Sequence, residues 1–273
     1  MAQLISNREA SSSGILVPIQ TEGNAPPIFG VPGVGGNVLS LQPLIRALGT
    51  EQPFYGLQAV GLDGSTLPFD RVEETARANI EALKTVQPVG PYKLLGHSYG
   101  GVVAYEMARM LLAENEEISG LILLDSVAPS LMPLPKDDAT ELLEACATAA
   151  SLYDIKVEID VHRIKELSTD AALKYIAGLL HEGGVEVNDA QLSAFFRVYR
   201  ANLTCYRKYK PAMLPRNIEV ALYVATQGNG AAPPHRGWNE LLHSPAQIYT
   251  VDADHFSLLS KVQFANLVEA FAE

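Results

Sequence analysis

Lys93-Leu94-Leu95-Gly96-His97-Ser98-Tyr99-Gly100-Gly101 is the stretch that decides the fold, because it reads as a strand, a sharp turn and the start of a helix. Apolar residues lead in (Tyr92, Leu94, Leu95) and a helical face leads out (Val102, Val103, Tyr105, Met107, Ala108, Leu111, Leu112). Gly96-x-Ser98-x-Gly100 sits at the turn. A serine there is held on a strained bend with its hydroxyl exposed, and a Cβ two residues to either side would collide with the neighbouring strand and helix. The five-residue pattern alone recurs by chance; its strand and helix flanks make it a nucleophile elbow.

Upstream of the elbow, Met1 to Gly14 is polar and serine-rich and reads as a linker or remnant, residues 1–14, ahead of a domain spanning 15–273. Ile15–Ile19 and Pro27–Val31 are strand candidates and are expected to form a hairpin-like start. Pro32-Gly33-Val34-Gly35-Gly36-Asn37 breaks all periodicity before a helix with apolar positions Val38, Leu41, Leu44, Ile45 and Leu48. Pro53–Leu57 is a further strand, and Val72–Val86 a helix burying Ala76, Ile80 and Leu83.

Downstream, Ile118–Leu124 is a continuous apolar run, the pattern of a central parallel strand buried on both faces, and it ends at Asp125. From about residue 128 to 210 the pattern is helical without strands (Ala139–Leu152, Val161–Leu167, Ala171–Leu180, Asp189–Arg207), which marks an inserted lid. Strands resume at Ile218–Ala225 and Gln247–Val251, and a helix over Leu258–Phe271 closes the chain. Strands alternating with helices predict an α/β fold with a mostly parallel sheet covered on both sides.

A serine hydroxyl becomes a nucleophile when a base takes its proton, and the base is usually a histidine held by a carboxylate. His255, in Asp252-Ala253-Asp254-His255-Phe256-Ser257, follows the last strand candidate, from where a sheet-edge loop reaches back to Ser98. His97 points away from its neighbour at the bend and is expected to line the site. His162 and His181 fall in the lid, and His235 and His243 flank loops without a sheet signal. The acid is expected after a strand end between serine and histidine. Thr226-Gln227-Gly228-Asn229-Gly230 contains none, so Asp125 is the candidate, and Asp252 and Asp254 are expected to shape the His255 loop. Two backbone N–H donors are needed for a tetrahedral oxyanion: Tyr99, after the nucleophile, and Val34 in the glycine loop. That loop has neither the Walker Lys-Ser/Thr ending nor dinucleotide G-x-G-x-x-G spacing, and no histidine pair has metal-ligand spacing.

Composition agrees. The chain of 273 residues is 48% hydrophobic and 19% charged, and its net charge of −11 argues against a general nucleic-acid binder. Cys146 and Cys205 lie in no metal-like or redox-like spacing, and no signal segment or membrane-length apolar run is present. A reduced, cytoplasmic, membrane-free setting is the expectation.

With these residues in place, the sequence resembles the thioesterase domains that end nonribosomal peptide and polyketide synthases, which have relatives in fatty acid synthase. The resemblance runs from about Val17 to Phe271. It rests on Ile28-Phe29-Gly30-Val31-Pro32-Gly33-Val34-Gly35-Gly36-Asn37, Phe54-Tyr55-Gly56-Leu57-Gln58, Gly61-Leu62-Asp63-Gly64, Gly90-Pro91-Tyr92, the elbow, Leu123-Leu124-Asp125-Ser126 and Asp254-His255-Phe256-Ser257. Pro32 departs from the histidine that relatives often carry there. The resemblance implies the α/β-hydrolase fold with a helical lid, an acid on the same strand as Asp125, and no bound cofactor. It further implies an acyl chain presented as a thioester on the phosphopantetheine arm of an upstream carrier protein. Release would pass through a Ser98 acyl-enzyme, by water or by an internal nucleophile that closes a macrocycle.

Carrier proteins are generally acidic, and Arg197, Arg200, Arg207, Lys208 and Lys210 form the one basic cluster that suits docking, or else an ordinary solvated face. Three other readings compete: a stand-alone editing thioesterase, a general ester hydrolase of the same fold, and a catalytically silent binding module. The complete set of Ser98, Asp125 and His255 speaks against the last.

Overall fold

A computed structural model describes residues 14–132, 137–152, 155, 159–227 and 233–261. The expected linker, apart from Gly14, lies outside the described residues, as do Gly228, Asn229 and Gly230 of the acid-free loop and the closing helix beyond Lys261. In chain order the elements are β1 (Leu16–Gln20), β2 (Ile28–Val31), α1 (Gln42–Leu48), β3 (Phe54–Leu57), α2 (Val72–Lys84), β4 (Tyr92–His97), α3 (Tyr99–Ala113) and β5 (Ile118–Leu124). There follow α4 (Asp138–Ser151), α5 (Val161–Glu166), α6 (Thr169–Glu182), α7 (Asp189–Lys208), β6 (Val220–Ala225), β7 (Gln247–Val251) and the start of α8 (Leu258–Lys261).

The seven strands form one sheet in the order β1-β3-β2-β4-β5-β6-β7, parallel except for β1. The early strands do not pair with each other, which corrects the hairpin expectation. β3 lies between them, antiparallel to β1 and parallel to β2. The physical reason is that β2 is buried throughout and takes a strand on each side, whereas β1 is half-exposed and belongs at an edge. The single helix expected from Val38 also divides. Asn37 caps a 3-10 turn over Val38–Leu41, and the α-helix begins at Gln42 because Pro43 has no N–H to donate into an earlier turn.

Alternation along the central strands divides the core between two faces. Leu94, Leu121, Leu123 and Leu222 pack with Ala76, Leu83, Val102 and Tyr105 of α2 and α3. Leu95, Ile122, Leu124 and Tyr223 pack with Leu44 and Leu48 of α1 and Leu258 of α8. Each such side chain contributes about 1.5–3 kcal/mol by leaving water, so the continuous apolar runs of β4 and β5 are what a doubly covered sheet requires.

Helices α4–α7 have a third cluster of their own, built on Leu142, Cys146, Ile176, Leu180, Phe195 and Tyr199. Their starts are capped: Asp137, Asp160, Ser168 and Asn188 each accept from the first turn that follows, and Asn188 with Gln191 forms a capping box. The far end of α7 is tied to the sheet domain. The Tyr209 hydroxyl donates to Glu106 at 2.6 Å, the Tyr206 hydroxyl to the Val127 carbonyl, and Lys208 pairs with Asp70 at 3.0 Å. Much of the basic cluster is thereby neutralised: Arg200 lies 2.5 Å and Arg207 3.6 Å from the buried Glu141 of α4.

Glycine positions separate the two bodies. A Cβ on Gly96 would fall on the Gly100 carbonyl and one on Gly100 on the Val31 carbonyl, all rigid backbone, whereas Gly178 of α6 has open space around it. Gly96→Ala and Gly100→Ala are each expected to destabilise by about 3 kcal/mol or more. Gly178→Ala is expected to stabilise by about 0.5–1 kcal/mol through helix propensity and a less flexible unfolded chain. Urea unfolding midpoints of the three variants check both signs.

Candidate active site

Strand order reverses between β2 and β4, and an open α/β sheet binds ligands beyond the carboxyl ends of its strands at such a point. The Pro32–Gly36 loop follows β2 and Ser98 follows β4, so the sequence elements singled out above meet there. Ser98 has φ 55° and ψ −124°, and Asp125, at the end of β5, has φ 42°. A non-glycine residue in such a region costs on the order of 1–3 kcal/mol. Both are pinned by the sheet: Ser98 N–H donates to the Leu124 carbonyl at 2.9 Å, and Asp125 N–H to the Tyr223 carbonyl at 2.7 Å.

Asp125 and His255 come together. The carboxylate Oδ2 lies 2.7 Å from His255 Nδ1, and Oδ1 accepts from the Ala225 N–H at 3.1 Å. The Asp125 side chain is 3% exposed, against 36% for His255, so a buried carboxylate orients a ring that solvent still reaches. The loop carrying His255 is shaped as expected by its acids. Asp254 accepts from the N–H groups of Phe256 and Ser257, both at 2.9 Å, and these bonds hold its carboxyl below the usual carboxylate range. Asp252 accepts from the Gln227 amide at 2.8 Å. His97 is buried beneath the loop. Its Nε2 donates to the His255 carbonyl at 3.1 Å, and the two rings are 4.7 Å apart between centroids.

The glycine loop lies over the elbow. A Cβ on Gly33 would be 3.5 Å from Ser98 Cβ, and Gly36 N–H donates to the Gly33 carbonyl at 2.8 Å, closing a turn around Val34. Tyr99 is the first residue of α3, where a helix has no internal acceptor for the N–H. Its ring packs on Tyr206 of α7 at 5.6 Å. Tyr99 N–H and the turn around Val34 thus flank Ser98, at the end of a helix whose dipole favours negative charge.

Three features escaped the sequence. Arg236 is buried, with Nη2 3.6 Å from Asp125 Oδ1 and 3.5 Å from the Ala225 carbonyl. Asn202 of α7 donates to the Val34 carbonyl at 2.7 Å. Gly101 gives room to Ser126, whose side chain a Cβ there would strike. An arginine in a turn and an asparagine inside a helix carry no local signal of these roles. Of the other histidines, His243 donates to the Leu214 carbonyl at 2.8 Å, in the segment that follows α7, and His235 accepts from Gly237 N–H at 3.1 Å within its own turn. Among the described residues no cluster of three or more His, Cys, Asp or Glu side chains could hold a metal, and no helix is long and apolar enough to cross a membrane.

Known proteins resemble the chain at the levels of sequence and fold. The family model described as "Thioesterase domain" matches residues 26–273. Indigoidine synthase of Dickeya dadantii (strain 3937) is 40% identical over 116 residues, covering 42% of this chain and 8% of the synthase. Atromentin synthetase of Tapinella panuoides is 28% identical over 282 residues, covering 97% of this chain and 29% of that protein, so the chain spans only a fraction of these relatives. The crystal structure of a four-domain nonribosomal peptide synthetase bound to AMP and glycine matches at a TM-score of 0.85 and 23% identity, over 98% of this chain and 20% of that one. The elbow, the Asp125–His255 pair and the helical insertion therefore belong to an α/β-hydrolase, and the chain is a member of the thioesterase domain family.

Proposed function

We propose that this domain releases an acyl or peptidyl chain from the phosphopantetheine arm of a carrier protein, through an ester on Ser98. The single observation that carries the reading is the 2.7 Å pairing of Asp125 with His255 beside a strained serine elbow. Ser98 Oγ attacks the thioester carbonyl and its proton passes to His255 Nε2. The oxyanion is held by the N–H groups of Val34 and Tyr99, and collapse of the intermediate expels the thiolate, which takes the proton back from His255. In the second half His255 deprotonates water, or a hydroxyl or amine of the bound chain, and Ser98 leaves with the proton. Asp125 fixes the His255 tautomer with a proton on Nδ1, leaving Nε2 to act.

His97 takes no part in proton transfer on this reading. Burial first, and the neighbouring His255 ring second, push its imidazole from the ordinary value near 6.5 down to about 3. It remains a neutral donor beneath the His255 carbonyl. The carrier partner, arriving from upstream through a linker at residues 1–14, is supported by the synthetase relatives and by the resemblance of the domain to chain-releasing thioesterases. Residues 15–273 then form the releasing domain, and the helical insertion, about 128–210, the wall that the acyl chain lies against.

Ser98→Ala is expected to keep the fold and to abolish acyl-enzyme formation. Intact-mass spectra after incubation with acyl thioesters of graded length check this, and an acylated Ser98→Ala protein would overturn the mechanism. Asp125→Asn is expected to lower kcat about 10⁴-fold by presenting the wrong tautomer, with Ser98 still present and measurable by single-turnover assay. His97 gives a sign in stability. The folded protein refuses the proton down to about pH 3 while the unfolded chain takes it up near 6.5, so the contribution is complete above pH 6.5 and is lost as the pH falls. Between pH 6.5 and 5 the protein is expected to lose about 2 kcal/mol relative to His97→Gln, read from urea midpoints at the two pH values.

A further inference from the structure

Three carbonyls of the loop from Gly33 to Gly36 accept hydrogen bonds, from donors that lie in different parts of the fold. The Gly33 carbonyl accepts from Gly36 N–H within the loop, and the Gly36 carbonyl accepts from Ala59 N–H of the sheet domain at 2.9 Å. The Val34 carbonyl, between them, accepts from Asn202 Nδ2 of α7 at 2.7 Å. Asn202 is itself buried, 5% exposed.

This bond is one point of a larger seat. Phe195, Val198 and Asn202 stand at i, i+3 and i+7, one face of α7. A Cβ on Gly35 would lie 2.8 Å from the Phe195 ring, and one on Gly36 2.9 Å from Val198 Cγ1. Gly35 and Gly36 are thus the openings into which the helix face settles. Val34 packs against the sheet-domain cluster and the insertion cluster at once. The Val34 N–H lies in the Gly33–Val34 peptide, which Gly36 N–H holds through the Gly33 carbonyl, and Asn202 holds the next peptide, Val34–Gly35, through the Val34 carbonyl. The loop's own bond and the helix together lock the turn that presents the Val34 N–H.

We propose that Asn202 is a positioning residue, which locks the turn that carries the Val34 N–H in place at the oxyanion only while α7 is seated on the loop, so that placement of the helical insertion and competence of the oxyanion site are one equilibrium. The inference rests on the Ser98 mechanism above and on Val34 as a donor, and it adds the element that controls that donor. An insertion displaced by an entering chain leaves the turn unlocked, and chemistry waits until α7 returns.

The test uses the full chain and two isosteric variants: Asn202→Leu, which cannot donate, and Asn202→Asp, which as a carboxylate offers an acceptor to a carbonyl. Active sites are first titrated with a fluorophosphonate, so that rates refer to labelled Ser98. With an acyl-N-acetylcysteamine thioester, kcat is expected to fall about 10- to 100-fold in both variants while KM stays within about threefold, since a removed oxyanion donor costs about 10²–10³ and here the donor is loosened. Affinity for a boronic acid, which adds to Ser98 and places its oxygen in the oxyanion site, is expected to fall with kcat. A purely structural Asn202 would lower the unfolding temperature and the titrated fraction but leave kcat per titrated site and boronate affinity unchanged, and that result overturns the proposal. If Asn202→Leu does not fold, Asn202→Asp decides alone by the same readings. Wild-type protein that neither turns over the thioester nor labels at Ser98 would instead overturn the mechanism on which the inference stands.

Discussion

Backbone against backbone at the elbow is the constraint on which the rest depends. Gly96, Gly100 and the Val31 and Pro32 carbonyls approach so closely that no side-chain carbon fits among them. That approach brings the start of α3 against the end of β2, and so brings the helix N-terminus and the glycine loop to one place. It also forces Ser98 to φ 55°, a conformation that an isolated turn would abandon. The sheet supplies the compensation, with β4 and β5 buried on both faces and the Ser98 N–H locked to the Leu124 carbonyl. Strain at the nucleophile and rigidity of the sheet are one feature described from two ends.

Asp125 follows the same logic with charge added. A carboxylate that is 3% exposed is costly unless its oxygens are bonded. Here one oxygen meets His255 and the other meets the Ala225 N–H, with the Arg236 guanidinium 3.6 Å away. Arg236 is anchored in turn by the segment that follows it, where Trp238 Nε1 donates to the Ser126 carbonyl at 3.0 Å. The buried carboxylate thus has a hydrogen-bond donor or a cation near each oxygen, and Oδ2 is left facing His255 Nδ1.

The helical insertion is a different material. It has its own apolar cluster, helices with side-chain caps, and a buried Glu141 that gathers Arg200 and Arg207. Its grip on the sheet domain is concentrated in α7, through Asn202, Tyr206, Lys208 and Tyr209. Arg200 and Arg207, part of the basic cluster of the sequence, also bind α7 to α4 within the insertion. A body that is internally cohesive and held mainly through one helix is suited to move as a unit more readily than it deforms.

The sequence by itself determined whatever rests on local pattern and chain order. The elbow was legible because glycine is required where Cβ collides, the central strands because double burial demands unbroken apolar runs, and the insertion helices because helical patterning without strands is a local signal. Ser98, Asp125 and His255 were legible as candidates because each follows a strand end, in the chain order that a serine, acid and histidine set uses on this kind of sheet. Tertiary structure alone decided which strands pair, placing β3 between β1 and β2, since pairing depends on burial across the whole sheet. It alone brought Arg236 to Asp125, and Asn202 to the Val34 carbonyl across 168 residues. Those partners are chosen by where distant helices and loops come to rest, and a side chain met at such a distance leaves no mark on the residues around it.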